Sequence, residues 1–254
     1  MENNQLSSPP KADEDEDEAM LHRLEVELKL RMNVFEKLYK ELKRKYGMPK
    51  GQWKLWCKRP KTERGREEVI IGAILTQRTN WRNVEIAINN LKRAKINSLK
   101  NIYRLGPKKV ENLIKPSGFY KAKAQYLFNL AKFIVENYGS LEKGGMKKVE
   151  LKELREELLK LKGIGPETAD SILLYALDKP IFVIDEYTRR LLKKYNLAAQ
   201  TNYQFLQKLF EENLRRDYRL YQDFHALIVI NGKNSRSNPG SSPPSADTTG
   251  QEIN

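Results

Sequence analysis

A Gly-x-Gly-Pro turn opening an amphipathic helix, within LKGIGPETADSILLYALDKPIFVIDEYTRR (161–190), constrains this chain more than any other segment. Gly163 and Gly165 suit a turn that needs positive φ or close backbone approach, either of which a Cβ obstructs. Pro166 falls at the first helical position, where its missing N–H costs nothing. Beyond it, Ala169, Ile172, Leu173, Ala176 and Leu177 repeat at i, i+3, i+4, i+7 and i+8, the spacing of a buried helical face. A helix N-terminus reached through glycines presents unpaired N–H groups and a positive dipole end, which together make an anion site. Asp185 follows the apolar run Phe182, Val183 and Ile184, where partial desolvation strengthens its field.

The charge balance suggests which anion. The 254-residue chain carries a net +14, and residues 1–18 hold seven acids (Glu2, Asp13, Glu14, Asp15, Glu16, Asp17, Glu18) against Lys11 alone. The remainder is therefore more basic than the whole, which favours a polyanion and salt-dependent binding. Cys57 is the only cysteine, so no internal disulfide forms, which fits a reducing compartment, and a four-cysteine iron–sulfur cluster is excluded. No run of eighteen apolar residues exists and the start is acidic, so neither a membrane span nor a secretory signal is expected. His22 and His225 are too far apart to found a transition-metal site, and His225 in DFHALIV reads as a packed polar residue.

Nearly all of the rest reads as helix, and the length allows one large or two small domains. Leu21, Leu24, Leu28, Phe35, Leu38 and Leu42 mark a stripe over about 19–45 that packs on its own domain rather than in a coiled coil. Trp53 to Arg66 reads as a loop, and Val69 to Leu75, apolar all round, as a central buried helix. Leu127, Leu130, Ala131, Ile134 and Val135 mark another helix ending near Tyr138-Gly139. Breaks at Leu105-Gly106-Pro107, Pro116-Ser117-Gly118 and Gly144-Gly145 separate helices of ordinary length. Residues 1–18 and 235–254 lack the apolar content to fold and are expected to be disordered.

The 161–190 segment resembles the helix-hairpin-helix signature of the endonuclease III superfamily of DNA glycosylases. Leu161, Gly163, Gly165, Thr168 and Ala169 match the hairpin, and Val183, Asp185 and Arg190 match the segment bearing the family's catalytic acid. The resemblance runs from about Tyr46 to Lys233 and is greatest to the alkylation-repair branch, which acts on 3-methyladenine. It implies an all-α, two-domain fold with the active site in the cleft between domains. A helical barrel would span 67–179, and 19–66 with 180–234 would form the second domain. It also implies base excision repair of duplex DNA by a monomer, nucleoid-associated in a prokaryotic cytoplasm or nuclear in a eukaryote. No cofactor is expected, although a hairpin of this kind can hold a monovalent cation between its carbonyls and a phosphate.

The resemblance assigns roles residue by residue. Asp185 is the catalytic acid, whose charge stabilises an oxocarbenium-like state and whose carboxylate orients a water; as an Asp before a helix it is equally an N-cap. Glu167 stands where bifunctional members carry the lysine that forms a Schiff base, so a monofunctional enzyme without strand cleavage is expected. It either assists catalysis or only adds charge to a helix start. Gln77 in AILTQRTNWRNV and Phe119 in PSGFYKAKA match the residues that fill the gap left by an extruded base. Lys121, Lys123 and Lys162 flank these loops as candidate phosphate contacts, beside Gly163, Gly165 and Thr168. Trp81, Trp53 and Trp56 are candidate walls of a base pocket, where an electron-poor alkylated purine stacks well on indole. The branch's Trp-Trp-Pro motif is only loosely matched by WKLWCKRP, so core packing of Trp53 and Trp56 stays open. So do specificity for oxidised or deaminated pyrimidines or mismatches, and a non-catalytic DNA-binding module.

Overall fold

A computed structural model describes residues 34–141 and 145–237, which form helices joined by turns, with no strand among them. Helix α1 covers 34–46 and buries Phe35, Leu38 and Leu42; Leu21, Leu24, Leu28, the acidic leader and the residues after 237 lie outside the described residues. Phe35 meets Phe210 edge-on at 4.9 Å between centroids, and Tyr39 lies 5.5 Å from Phe224. This part of the stripe thus packs within its own chain.

The expected loop from Trp53 to Arg66 is largely helical. A short α2 (Trp53–Trp56) precedes α3 (Glu63–Leu75), whose start is fixed by Thr62 accepting the Gly65 N–H at 3.3 Å. The charges of α3's first turns obscured it in the sequence. Arg66 is nonetheless 2% exposed, because it ion-pairs with Asp178 at 2.8 Å. From Val69 to Leu75 the helix is buried on every side, as anticipated.

There follow α4 (Trp81–Arg93), α5 (Leu99–Leu105), α6 (Pro107–Glu111), α7 (Tyr120–Tyr138) and α8 (Leu151–Lys160), of which α4 and α7 pack on α3 while α5 and α6 pack on α7. Asn80 and Ser98 cap α4 and α5 through their side-chain oxygens, and Gly106 turns the chain from α5 into α6. Next, α9 (Pro166–Ser171) runs without a break into a π-helical stretch, Ile172–Ala176. There the Leu177 N–H reaches back five residues to the Ile172 carbonyl. The Leu174 and Ala176 carbonyls are taken by Gln222 and Arg66. The second lobe combines α1 with α10 (Glu186–Lys194), α11 (Tyr203–Asn213) and α12 (Tyr218–Ser237). Residues 235–237, expected to be disordered, instead continue α12. Asp178 fastens the junction between lobes, pairing with Arg66, with Lys147 at 3.2 Å and with Gln222 of α12 at 3.3 Å.

Candidate active site

The two hairpin glycines do different work. Gly163 has φ +89, and a Cβ there would stand 2.3 Å from the Tyr126 ring of α7, so only glycine fits. Gly165 is extended (φ −91, ψ 179) with nothing within 4 Å of a would-be Cβ. Positive φ explains only the first; the second leaves open space before Pro166, where the chain enters α9.

Gln77 is fastened to this hairpin. Its Nε2 donates to the Gly163 carbonyl at 2.9 Å and to the Thr168 hydroxyl at 3.1 Å, so Thr168 here holds Gln77. Arg78, next along, takes φ +52 and is exposed. Phe119 shares that geometry, at φ +47 and 66% exposed. A bulky residue in the left-handed region, with its ring in water, is held by its surroundings against two preferences at once. Gln77, Arg78, Phe119, Tyr126, Gly163 and Gly165 rim one open cavity of about 720 Å³.

Lys123 corrects the reading of it as a phosphate contact. It is 2% exposed, and its ammonium donates to the Leu75 carbonyl at 2.8 Å and the Ser117 carbonyl at 2.7 Å. Burial pushes its pKa down to about 8. The periodicity carries the reason, since Lys123 is in phase with Leu127, Leu130 and Ile134 on the buried face of α7. Lys121, two positions earlier, points to solvent, as does Lys162. Lys123→Met, which leaves both carbonyls unpaired, is expected to cost about 2–3 kcal/mol in urea denaturation. The salt slope of DNA binding is expected to stay unchanged, whereas Lys162→Ala should flatten that slope by about one unit.

A second cavity, of about 510 Å³, opens between the lobes. Its walls include Trp53, Trp56, Trp81, Asp185, His225 and Lys233, with Gln77 and Glu167 at the side it shares with the first. Trp81 is half-buried and meets Trp56 edge-on at 6.0 Å; Trp56 meets Trp53 at 5.6 Å. Trp53 and Trp56 are 5% and 4% exposed, so they serve as core and wall together. Gly72 makes room, since a Cβ there would come within 3.2 Å of the Trp56 ring.

Asp185 is both the helix cap and a cavity group. It accepts the Thr188 N–H at 2.8 Å to start α10, and its other oxygen lies 3.5 Å from His225 Nε2. Burial opposes its charge, but the facing His225 and the Thr188 N–H outweigh that, so its pKa falls below the ordinary carboxylate value. His225, read from sequence as packed polar residue, is indeed buried, yet it is brought to the acid from α12, with Nδ1 2.7 Å from the Tyr175 hydroxyl. Its role was invisible locally, because His225 is merely in phase with Tyr221 and Ile228 on a buried face. Lys233, also missed, sits at the cavity edge with Nζ 3.4 Å from Gln52 Oε1.

Glu167 has the opposite electrostatics. It is exposed at the cleft mouth, but desolvation by the cleft walls and then the charge of Asp185 push its pKa up to about 6. One cleft thus holds a carboxylate kept ionised and another inclined to hold its proton, the contrast on which acid–base division of labour rests. Among the described residues, no three His, Cys, Asp or Glu side chains are grouped to hold a metal ion, and no helix is long and apolar enough to cross a membrane.

Comparison with known proteins gives this geometry a family. The pattern of the HhH-GPD superfamily of base excision DNA repair proteins matches residues 71–216, which include Gln77, Phe119, the hairpin and Asp185. A protein of Methanocaldococcus jannaschii with the provisional name DNA repair glycosylase is 47% identical over 165 residues, covering 65% of this chain and 75% of the relative. Endonuclease III of Thermotoga maritima is 29% identical over 150 residues, 58% of this chain and 66% of that protein. Among solved structures, H. pylori 3-methyladenine DNA glycosylase bound to 1,N6-ethenoadenine superposes with a TM-score of 0.66 at 30% identity, covering 81% of this chain and 98% of that one. A trapped endonuclease III–DNA covalent intermediate superposes at 0.62 with 15% identity over 84% and 90%, a likeness of fold. With its Gly-x-Gly hairpin, its acid at the cleft and these relatives, the chain belongs to the HhH-GPD superfamily of base excision repair DNA glycosylases.

Proposed function

We propose that this glycosylase is monofunctional and hydrolyses the N-glycosidic bond of an alkylated purine turned out of duplex DNA. The observation that carries the reading is Asp185, its pKa held below the ordinary carboxylate value by His225 and the Thr188 N–H, lining a cavity walled by indoles. An electron-poor, often cationic base is attracted to an indole face, which the Trp81 side of the cavity offers. Asp185 then stabilises the positive charge that grows on the sugar as the bond breaks, and orients or deprotonates the attacking water. A solved relative at 30% identity, superposing over 98% of its length, is a 3-methyladenine DNA glycosylase, which supports the same substrate class. In this reading Gln77 and Phe119 fill the gap in the stack, and the amides around Gly163 and Gly165 grip a phosphate, with Lys121 and Lys162 nearby. The protein acts as a monomer, with its work divided between a barrel at 67–179 and a second domain from 19–66 and 180–234. A monovalent cation at the hairpin carbonyls and the absence of any other cofactor belong to the same reading.

Glu167 stands where strand-cleaving relatives place a lysine, and a carboxylate cannot form a Schiff base. The test is a panel of duplexes, each with one lesion, with released bases identified and borohydride trapping in parallel. Free methylated purine with no trapped adduct supports the proposal. Release of an oxidised or deaminated pyrimidine, or a trapped adduct, overturns it.

The raised pKa of Glu167 makes a second measurement. Its folded value, about 6, lies above the ordinary 4.5, so the folded protein holds this proton more tightly. The resulting contribution to stability is present below the ordinary value and disappears as pH rises through about 6. DNA phosphates strengthen that preference for the proton. Affinity for a duplex with an abasic-site analogue should therefore rise as pH falls through 6, by at most about tenfold per unit. Glu167→Gln should flatten the rise, as followed by fluorescence anisotropy; an unchanged profile would remove Glu167 from the DNA-facing side.

A further inference from the structure

The residues leading to Asp185 present a hydrogen-bonding problem. Ile181, Phe182, Val183 and Ile184 are buried and lie outside any helix, and no strand among the described residues pairs with them. Buried backbone groups require partners. Side chains of α11 supply three of them. The Phe182 N–H donates to Glu211 Oε1 at 2.8 Å, its carbonyl accepts from Gln207 Nε2 at 2.7 Å, and the Ile184 N–H donates to the Tyr203 hydroxyl at 3.4 Å. Tyr203, Gln207 and Glu211 recur every fourth residue, so one face of a helix stands in for the missing strand.

Two of these side chains also reach the hairpin. The Tyr203 hydroxyl and Gln207 Nε2 each donate to Asp170 Oδ2 at 2.8 Å. Asp170 belongs to α9 and is fully buried, and Arg155 of α8 holds it through Nε at 2.6 Å and Nη2 at 3.1 Å. The donors are used without conflict. Gln207 spends one amide hydrogen on Asp170 and the other on Phe182, and Tyr203 donates to Asp170 while accepting from Ile184. Burial and the charge of Asp170 raise the Tyr203 pKa far above that of an ordinary phenol, so it keeps its proton. The result is a continuous chain from α8 and α9 to the backbone of Phe182 and Ile184, just before Asp185.

We propose that Tyr203 and Gln207 are positioning residues that set Asp185 against the substrate, and that Asp170 ties this setting to the hairpin. The proposal rests on the reading of Asp185 as the hydrolytic acid. Its physical basis is alignment: a displacement of about 1 Å at the reacting group can cost on the order of a hundredfold in rate without weakening binding.

The test uses the full chain with Tyr203→Phe and Gln207→Met, each removing the shared donors at similar volume. Single-turnover excision at saturating DNA is expected to fall about 10- to 100-fold. Affinity for duplex with an abasic-site analogue should stay within about threefold, and amide exchange at Phe182 and Ile184 should quicken. Leu206→Val, a buried change on the same helix, serves as the control for lost stability and should leave the excision rate within about threefold. In the wild type the analogue duplex should slow exchange at Phe182 and Ile184, and in Asp170→Asn it should not. The proposal is overturned if the two variants excise at the wild-type rate. It is also overturned if their loss merely tracks melting temperature as in Leu206→Val, or if DNA leaves wild-type exchange unchanged. Should the wild type release no base from any lesion, the proposed function fails, while the exchange measurement still judges the tie to the hairpin.

Discussion

Asp185→Asn is expected to lower single-turnover excision by about a thousandfold or more while leaving the protein folded and able to bind DNA. The substitution separates the two tasks of this side chain. As a cap, asparagine ranks with aspartate and retains an oxygen for the Thr188 N–H, so α10 keeps its start. As a charge it is lost, and with it the group that His225 Nε2 faces at 3.5 Å. Rapid-quench measurement at saturating lesion duplex reads the first effect; anisotropy with an abasic-site analogue and thermal melting read the others. Near-normal excision by this variant would show that another group carries the hydrolysis.

The second large effect concerns the hairpin glycines, which the structure assigns to different duties. Gly163→Ala forces a Cβ into the left-handed region, costing about 1–2 kcal/mol, and onto the Tyr126 ring, costing about 1–3 kcal/mol more. A loss of about 2–5 kcal/mol is expected in urea denaturation, with weaker DNA binding as the turn distorts. Gly165→Ala meets neither obstacle, so its stability should stay within about 0.5 kcal/mol of wild type. Its added methyl instead occupies the space through which a phosphate would approach, and DNA affinity should fall about tenfold or more. An alanine at 165 that binds DNA like the wild type would move the phosphate grip away from this turn.

What the sequence revealed and what it hid follow a physical division. The hairpin was legible because its signals are local: a glycine forced by φ, a proline at the first helical turn and a periodic apolar face. Asp185 was legible because its distance from that hairpin fits a known pattern. His225 was not, since its partner lies forty residues away in sequence and only the packing of α12 against the cleft brings them together. Arg78 is exposed and ordinary in composition; only its backbone conformation marks it. Lys123 reads as a surface charge although its phase on α7 places it inside, because its charge and its periodicity point opposite ways. The start of α3 is hidden in the same way, since the ion pair with Asp178 lets Arg66 sit buried where a charge reads as solvated.

The buried ammonium of Lys123 has a consequence for how such a protein inspects a duplex. It grips Leu75, two residues before Gln77, and Ser117, two residues before Phe119. On the proposed reading, in which Gln77 and Phe119 enter the base stack, one cation sets the gap between them, in the manner of a caliper locked at a single width. Such a protein would not need to reshape itself at each base pair it passes. The duplex either yields to a gauge of fixed size, as weakened pairs do more readily, or lets it slide on.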